Sequence, residues 1–305
     1  MHNTTSQNIL VLGGTGFVGH HVCEALSRQG HRITVPTRHL PARSVEIIPG
    51  LEVVVADVHD PDPLQNLIRG QDAVVNLVAI LHGDEAAYDQ VHVQLVRKIA
   101  KACKAEGVKR LIHISALGAG EHAPSRYQRS KARGEAVLMA AAQTSDLALT
   151  VIRPSVIFGE DDHFINLFAK LQKILPVLPL ASAHTRFQPV WVQDVANAIV
   201  ACVEDPATAG QVYELAGPDI LTLQQLVQFA GRWVGHPRPV LPLPYPVGWL
   251  QAWMMEIVPG PTLMSRDNLD AMQVDNVPSG QLPGLAELGV VQPQTLGGVF
   301  VHAGD

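Results

Sequence analysis

The segment Asn8-Ile-Leu-Val-Leu-Gly-Gly-Thr-Gly-Phe-Val-Gly19 constrains this chain most, because an apolar run halts at glycines spaced for contact between bare backbone and a phosphate group. The pattern predicts a buried strand, a tight turn and a helix from Val18 to Arg28. Gly13 can adopt the positive φ of the turn, Gly16 presents no Cβ to an approaching anion, and Gly19 lets helix and strand pack closely. N–H groups around Thr15, Phe17 and Val18 then face that anion, with the helix dipole behind them. The glycines stand at 13, 16 and 19 with an additional Gly14, a spacing different from the six-residue fingerprint of many dehydrogenases.

Beyond Arg28 the chain repeats one theme. Arg32 to Pro36, Leu51 to Ala56, Ala73 to Val78 and Arg110 to Ser115 are short, continuous apolar runs, the pattern of strands covered on both faces. Helix-like segments lie between them, most clearly Tyr88 to Glu106 and Ser125 to Gln143. Alternation of this kind predicts an α/β fold with a Rossmann-type, doubly wound parallel sheet, whose ligands sit beyond the carboxyl ends of the strands. From Phe158 onward prolines interrupt the helices, although Val190 to Val203 reads as a strand leading into a helix and Thr222 to Trp233 as a further helix. The expected division is a nucleotide-binding unit over residues 8–157 and a smaller substrate or lid region over 158–305, interleaved with the last sheet elements.

Composition removes several alternatives. With 47% hydrophobic and 16% charged residues among 305, the chain can build a large core and is not disordered. A net charge of −6 with interspersed signs offers no basic face for nucleic acid. Cys23, Cys103 and Cys202 show no paired spacing and read as buried thiols of a reducing compartment. No apolar run approaches the roughly 18 residues of a membrane span, and Met1 to Gln7 resembles no targeting segment. The expected location is cytoplasmic, at most peripheral to the inner face of a membrane. No metal-ligand spacing occurs, so no metal is expected.

The end of the second strand normally selects the dinucleotide: an acid for the ribose of NAD, a cation for the 2′-phosphate of NADP. Here Thr37 and Arg38 occupy it without an acid, and Arg43 follows, which favours NADP(H), with NAD(H) as the alternative. Asp57 and Val58, after the third strand, suit either the adenine ring or a local turn. Leu77, Val78 and Ala79 are small and apolar enough for backbone to lie along a cofactor ribose, although a plain strand end explains them almost as well. Tyr127 and Lys131 stand four apart on a predicted helix and therefore share a face. In that arrangement the ammonium lowers the phenol pKa, and Tyr127 exchanges a proton with a substrate oxygen while Lys131 also holds ribose hydroxyls. Ser115, ending the fifth strand, is the candidate for orienting that oxygen.

Taken together, Gly13 to Gly19, Asp57, Ser115, Tyr127, Lys131 and Arg153-Pro-Ser-Val-Ile-Phe-Gly159 resemble the extended and atypical short-chain dehydrogenase/reductases, the NAD-dependent epimerase/dehydratase family. Leu111 to Gly118, Ser125 to Lys131 and Gln188 to Ala196 are similar to the branch containing the dehydrogenase-like accessory subunit of respiratory complex I. The resemblance implies a tightly held NADPH, structural in the complex I relatives, with backbone around Pro154 and Val156 against the nicotinamide. It also marks two departures. The interval from Ser115 to Tyr127 is short beside that of sugar-nucleotide epimerases, and Ala116 competes with Ser115 for their Ser/Thr position. Two functions are compatible with these residues: an NADP-dependent oxidoreductase acting on an unnamed small molecule through Tyr127, Lys131 and Ser115, or an NADPH-binding accessory or assembly protein of a respiratory or quinone-linked complex. His163 and His184 read as pocket or ordinary solvated histidines. Trp249, Trp253 and Met254 share a helical face, expected to pack in the C-terminal core, with a quinone- or membrane-facing surface as the other reading.

Overall fold

Alternate residues of the first apolar run go to opposite sides of one sheet. In the computed structural model, which describes residues 6–39, 47–257 and 264–300, strand β1 (Asn8–Leu12) turns Ile9 and Val11 into one core and Leu10 and Leu12 into another. That double burial is why the run is continuous and not alternating. Helix α1 (Phe17–Arg28) follows, then β2 (Arg32–Thr37), β3 (Leu51–Val55), α2 (Pro61–Ile68) and β4 (Ala73–Asn76). Next come α3 (Glu85–Asp89), a π-helical turn (Gln90–Gln94), α4 (Leu95–Glu106), β5 (Arg110–Ile114), α5 (Arg126–Gln143) and β6 (Ala148–Pro154).

Beyond β6 lie β7 (Ile157–Phe158), α6 (Ile165–Ile174), β8 (Leu178–Ala181), β9 (Arg186–Phe187), β10 (Val190–Trp191) and α7 (Val192–Glu204). The chain continues through β11 (Val212–Leu215), β12 (Leu221–Thr222), α8 (Leu223–Trp233), β13 (Val240–Leu243), α9 (Tyr245–Ile257) and α10 (Arg266–Ala271). Seven parallel strands form the main sheet in the order β11-β6-β5-β4-β1-β2-β3. Helices α1 and α7 cover one face, and α2, α4 and α5 the other. The order reverses between β1 and β4, opening a crevice at their carboxyl ends, where this architecture binds ligands. Short two-stranded ladders and α6 and α8 gather around Phe158, Leu178, Phe187 and Leu226 in a separate C-terminal core.

Two strands of the main sheet escape the pattern reading, β6 and β11. Each carries polar residues that the fold satisfies inside: Thr150 Oγ1 donates to Thr208 O at 2.7 Å, and buried Glu214 accepts from Ser279 N–H at 2.6 Å. The polar residues interrupt the apolar run from which a buried strand is recognised. The helix expected from Tyr88 is a composite broken by the π turn, which sets His92 beneath α5. A Cβ on Gly134 of α5 would overlap His92 O, so this glycine permits the close crossing. All three cysteines are buried and unpaired.

One expectation is overturned. Trp249, Trp253 and Met254 do not fill the C-terminal core: they are 39%, 41% and 55% exposed. Helix α9 is anchored through Gly248 and Ala252, a seam of small residues that leaves the large side chains outside.

Candidate functional site

The glycine loop is held by its own backbone. Gly14 N–H donates to Val11 O (3.3 Å) and Gly16 N–H to Gly13 O (3.1 Å), while Gly13 takes φ +86° against Leu77 and Val78. Gly19 does less against the strand than against the loop, since a Cβ there would overlap Gly13 O and stand 2.6 Å from Gly14 Cα. The additional Gly14 is also explained: a Cβ would lie 2.7 Å from Val35 Cγ2. A Cβ on Gly16, by contrast, would meet only Gly13 O, at 3.4 Å. Helix α1 starts at Gly16 without a side-chain cap or an acid in its first turn. Among the described residues no acceptor meets the N–H of Thr15, Phe17, Val18 or Gly19. Open donors, a positive dipole end and a bare Cα suit a diphosphate.

Around this loop the other nucleotide candidates fall at strand ends. Thr37 spends its hydroxyl on His39 O (2.7 Å), and Arg38 is exposed at the end of β2, its charge helping to lower the His59 pKa behind the larger effect of burial. Arg43 lies outside the described residues. Asp57 is exposed and forms a local turn, its Oδ1 accepting from His59 N–H at 2.9 Å, with half-buried Val58 between them. Leu77 continues the β1–β4 contact by donating to Leu12 O, and Val78 N–H donates to Asn76 Oδ1 (3.2 Å). Ala79 is exposed beyond them. Pro154 O accepts from Leu117 N–H, while Val156 N–H donates to Asn276 Oδ1 (3.2 Å). Phe17 reaches the same motif, its ring lying where a Cβ on Gly159 would stand 3.0 Å away.

The Tyr127–Lys131 helix departs from expectation. Lys131 is fully buried and its Nζ donates to Ile114 O at 2.7 Å, leaving two further N–H donors. Burial brings its pKa from 10.5 down to about 8, opposed by Glu135, whose carboxylate also pairs with Arg153 (Nε to Oε1 2.9 Å). Tyr127 instead stands edge-on to His92 (centroids 5.5 Å) and Tyr88 (6.1 Å). Burial pushes its phenol up to about 12, so the expected depression by Lys131 is corrected: the groups share a helix face, yet the ammonium is drawn to the β5 carbonyl. Ser115 Oγ is buried at the end of β5 with no partner among the described residues.

Several contributors have no sequence signature. Asp267 of α10 accepts from the N–H groups of Arg126 (2.6 Å) and Tyr127 (3.0 Å), and Tyr88 Oη donates to it at 3.3 Å. A distant carboxylate thus holds the first turn of α5. His92 Nδ1 pairs with Ser130 Oγ (2.8 Å) and its Nε2 accepts from Ile80 N–H (3.1 Å), a neutral role that fits a pKa lowered to about 3, by burial first and Lys131 second. Asn76 and His113, both buried, pair at 3.1 Å under the β4 end. His163 and His184 are exposed; His184 borders an open cleft of about 410 Å³ between Ser182–Thr185 and Pro242–Tyr245, away from the glycine loop. No cluster of metal-binding side chains occurs among the described residues.

A parallel sheet with this reversal and a bare glycine loop defines a Rossmann-type nucleotide-binding protein. The chain belongs to the NAD dependent epimerase/dehydratase family, which it matches over residues 9–216. It is 32% identical over 299 residues to NADH dehydrogenase (ubiquinone) 1 alpha subcomplex subunit 9, mitochondrial, of Mus musculus, covering 94% of this chain and 76% of that protein. A ceramide reductase of Caulobacter vibrioides is 29% identical, over 78% of this chain and 74% of its own. Among solved structures, a dTDP-glucose 4,6-dehydratase double mutant from Streptomyces venezuelae with NAD bound superposes with a TM-score of 0.70 at 22% identity, covering 77% of this chain and 84% of its own.

Proposed function

We propose that this protein holds NADP(H) as a largely non-catalytic accessory or assembly factor of a respiratory NADH dehydrogenase. The observation that carries the reading is that Lys131 does not activate Tyr127: the phenol is seated among aromatic rings with a pKa raised by burial, and one donor of the lysine goes to a main-chain carbonyl, leaving the others for a ribose. Likeness to the mitochondrial dehydrogenase subunit over nearly the whole chain supports the same reading. Thr15 to Gly19 would hold the diphosphate, Arg38 the 2′-phosphate, Lys131 the ribose, and the Pro154–Val156 backbone the nicotinamide side. The division at residue 157 belongs to this reading, with residues 158–305 closing over the ligand.

The test is direct. Full-length protein purified without added nucleotide is denatured and the released ligand identified by chromatography; stoichiometric NADP(H) is expected, and its absence even after soaking with NADPH sinks the proposal. Turnover of NADPH against quinones and carbonyl compounds should be negligible and insensitive to Tyr127→Phe.

A second reading has its own support: buried Ser115 Oγ has no partner among the described residues, and Lys131 has spare donors and a pKa of about 8. Similarity to the ceramide reductase points the same way. Bound NADPH would supply hydride. Tyr127, protonated at neutral pH because its pKa is about 12, would give a proton to the substrate oxygen that Ser115 orients. NADPH-dependent reduction abolished by Tyr127→Phe establishes this reading over the first.

A further inference from the structure

Asn276 belongs to no motif of the sequence, yet it is bonded to Val156 across 120 residues of chain. Past α10 the chain returns to the main sheet, and there Asn276 is pinned by both of its backbone groups. Its N–H donates to Arg186 O (2.7 Å) and its carbonyl accepts from Gln188 N–H (3.1 Å), on either side of Phe187 in β9. Three residues on, the N–H and the hydroxyl of Ser279 both donate to Glu214 of β11 (2.6 and 2.8 Å). The strap is held at two points, so the Asn276 side chain leaves it from a fixed backbone.

That side chain reaches the turn after β6. Asn276 Oδ1 accepts from the Ser155 hydroxyl (2.6 Å) and from Val156 N–H (3.2 Å). A main-chain N–H only donates, so the oxygen of the Asn276 carboxamide is the atom that faces it, and Nδ2 with its two N–H donors is the group left over. Asn276 is half-buried; among the described residues no acceptor meets Nδ2, and it is not among the unpartnered atoms sealed from solvent.

The same turn lies along the crevice. Leu117 N–H donates to Pro154 O (2.9 Å), which sets the turn against the loop that follows Ser115, and at its far end a Cβ on Gly159 would stand 3.0 Å from the Phe17 ring of the glycine loop. A dinucleotide with its diphosphate at Thr15 to Gly19 and its ribose at Lys131 would bring its nicotinamide toward Pro154 and Val156. The main-chain donors of that turn are spent: Pro154 has no N–H, Ser155 N–H donates to Leu215 O (2.8 Å), and Val156 N–H goes to Asn276. A carboxamide oxygen taken out of water needs a donor, and the donor fastened against this turn is Asn276 Nδ2.

We infer that Asn276 holds the nicotinamide carboxamide of the bound dinucleotide, Nδ2 donating to its oxygen while Oδ1 stays on Ser155 and Val156. The inference rests on the cofactor reading above and adds to it a contact from the C-terminal region: the backbone of residues 154–156 lies against the ring, and the strap supplies the hydrogen bond.

The full chain is titrated calorimetrically with NADPH, with its reduced 3-acetylpyridine analogue, whose acetyl group accepts a hydrogen bond and donates none, and with 2′-phospho-ADP-ribose, which lacks the nicotinamide. Asn276→Asp keeps an acceptor for Ser155 and Val156 and removes the Nδ2 donor, so its ligand-free thermal midpoint should stay within about 2 °C of wild type. It should bind the acetylpyridine analogue about tenfold or more weakly, and 2′-phospho-ADP-ribose within about twofold of wild type. NADPH, whose amide can turn its NH2 toward the carboxylate, should lose less than the analogue. The inference is overturned if Asn276→Asp binds the analogue as wild type does, if it loses 2′-phospho-ADP-ribose in equal measure, or if wild type binds the analogue no more tightly than 2′-phospho-ADP-ribose. In each of those cases 2′-phospho-ADP-ribose still binds wild type and the cofactor reading survives; a wild type that takes up none of the three probes sinks that reading, and the inference with it.

Discussion

Replacing Gly16 and Gly19 separately by alanine distinguishes what the glycine loop needs for folding from what it needs for a ligand. Gly19→Ala would place a Cβ 2.6 Å from Gly14 Cα and 2.8 Å from Gly14 C, both backbone atoms that cannot swing aside. Overpacking of this kind costs about 1–3 kcal/mol, partly offset by the better helix propensity of alanine. A net loss of about 2 kcal/mol lowers the thermal midpoint by about 3–4 °C, because the unfolding entropy of a chain of 305 residues is on the order of 0.6 kcal/mol/K. Gly16→Ala meets only Gly13 O at 3.4 Å, an ordinary contact at a helix N-cap. Its ligand-free midpoint should move by no more than about 2 °C, from a cap change of about 0.5 kcal/mol.

The dinucleotide responds differently. A Cβ on Gly16 has only Gly13 O within 4 Å and otherwise enters open space at the start of α1, so if the proposed diphosphate occupies that space calorimetric titration should show NADPH affinity at least about tenfold weaker, a loss of about 1.4 kcal/mol or more. Gly19→Ala should lose both stability and affinity. Gly16→Ala with wild-type affinity refutes the assignment of the diphosphate to this loop, whatever happens at Gly19.

Arg38→Ala should weaken NADPH about tenfold or more and NADH hardly at all; parallel losses in competition titrations refute the 2′-phosphate contact. Asp267→Ala removes the acceptor for Arg126 N–H, Tyr127 N–H and the Tyr88 hydroxyl. A loss of about 2–4 kcal/mol is expected, seen as a midpoint lower by about 3–6 °C, with Asp267→Asn intermediate; an unchanged midpoint contradicts the capping role. Lys131 has its folded-state pKa lowered to about 8 from 10.5. Its penalty on folding is therefore full below pH 8 and fades as pH rises toward 10.5, where the unfolded chain holds more protons. Wild-type stability relative to Lys131→Met should rise across that window by on the order of 2–3 kcal/mol, measured by urea unfolding at stepped pH; a flat or falling difference rejects the buried-ammonium account.

The nucleotide-binding half was legible because its signals are local. Continuous apolar runs mark strands covered on both faces, and the glycines at 13, 16 and 19 mark a turn whose geometry depends on a few adjacent residues. The strands β6 and β11 were hidden by Thr150, Arg153 and Glu214, whose partners Thr208, Glu135 and Ser279 are fixed only when distant segments meet. Tyr127 and Lys131 illustrate the boundary: helical spacing put them on one face, while the destination of each side chain depended on β5 and on the π turn.

By itself, then, the sequence determined the parallel sheet, the phosphate-ready loop and the family, since periodicity and glycine placement act within a few residues of each other. Tertiary structure alone decided that Lys131 bonds a strand carbonyl, that Asp267 caps the helix bearing Tyr127, and that the tryptophans of α9 face outward. An apolar helix has the same composition whichever face it buries, and only the packing of Gly248 and Ala252 against the body selects the side that remains free.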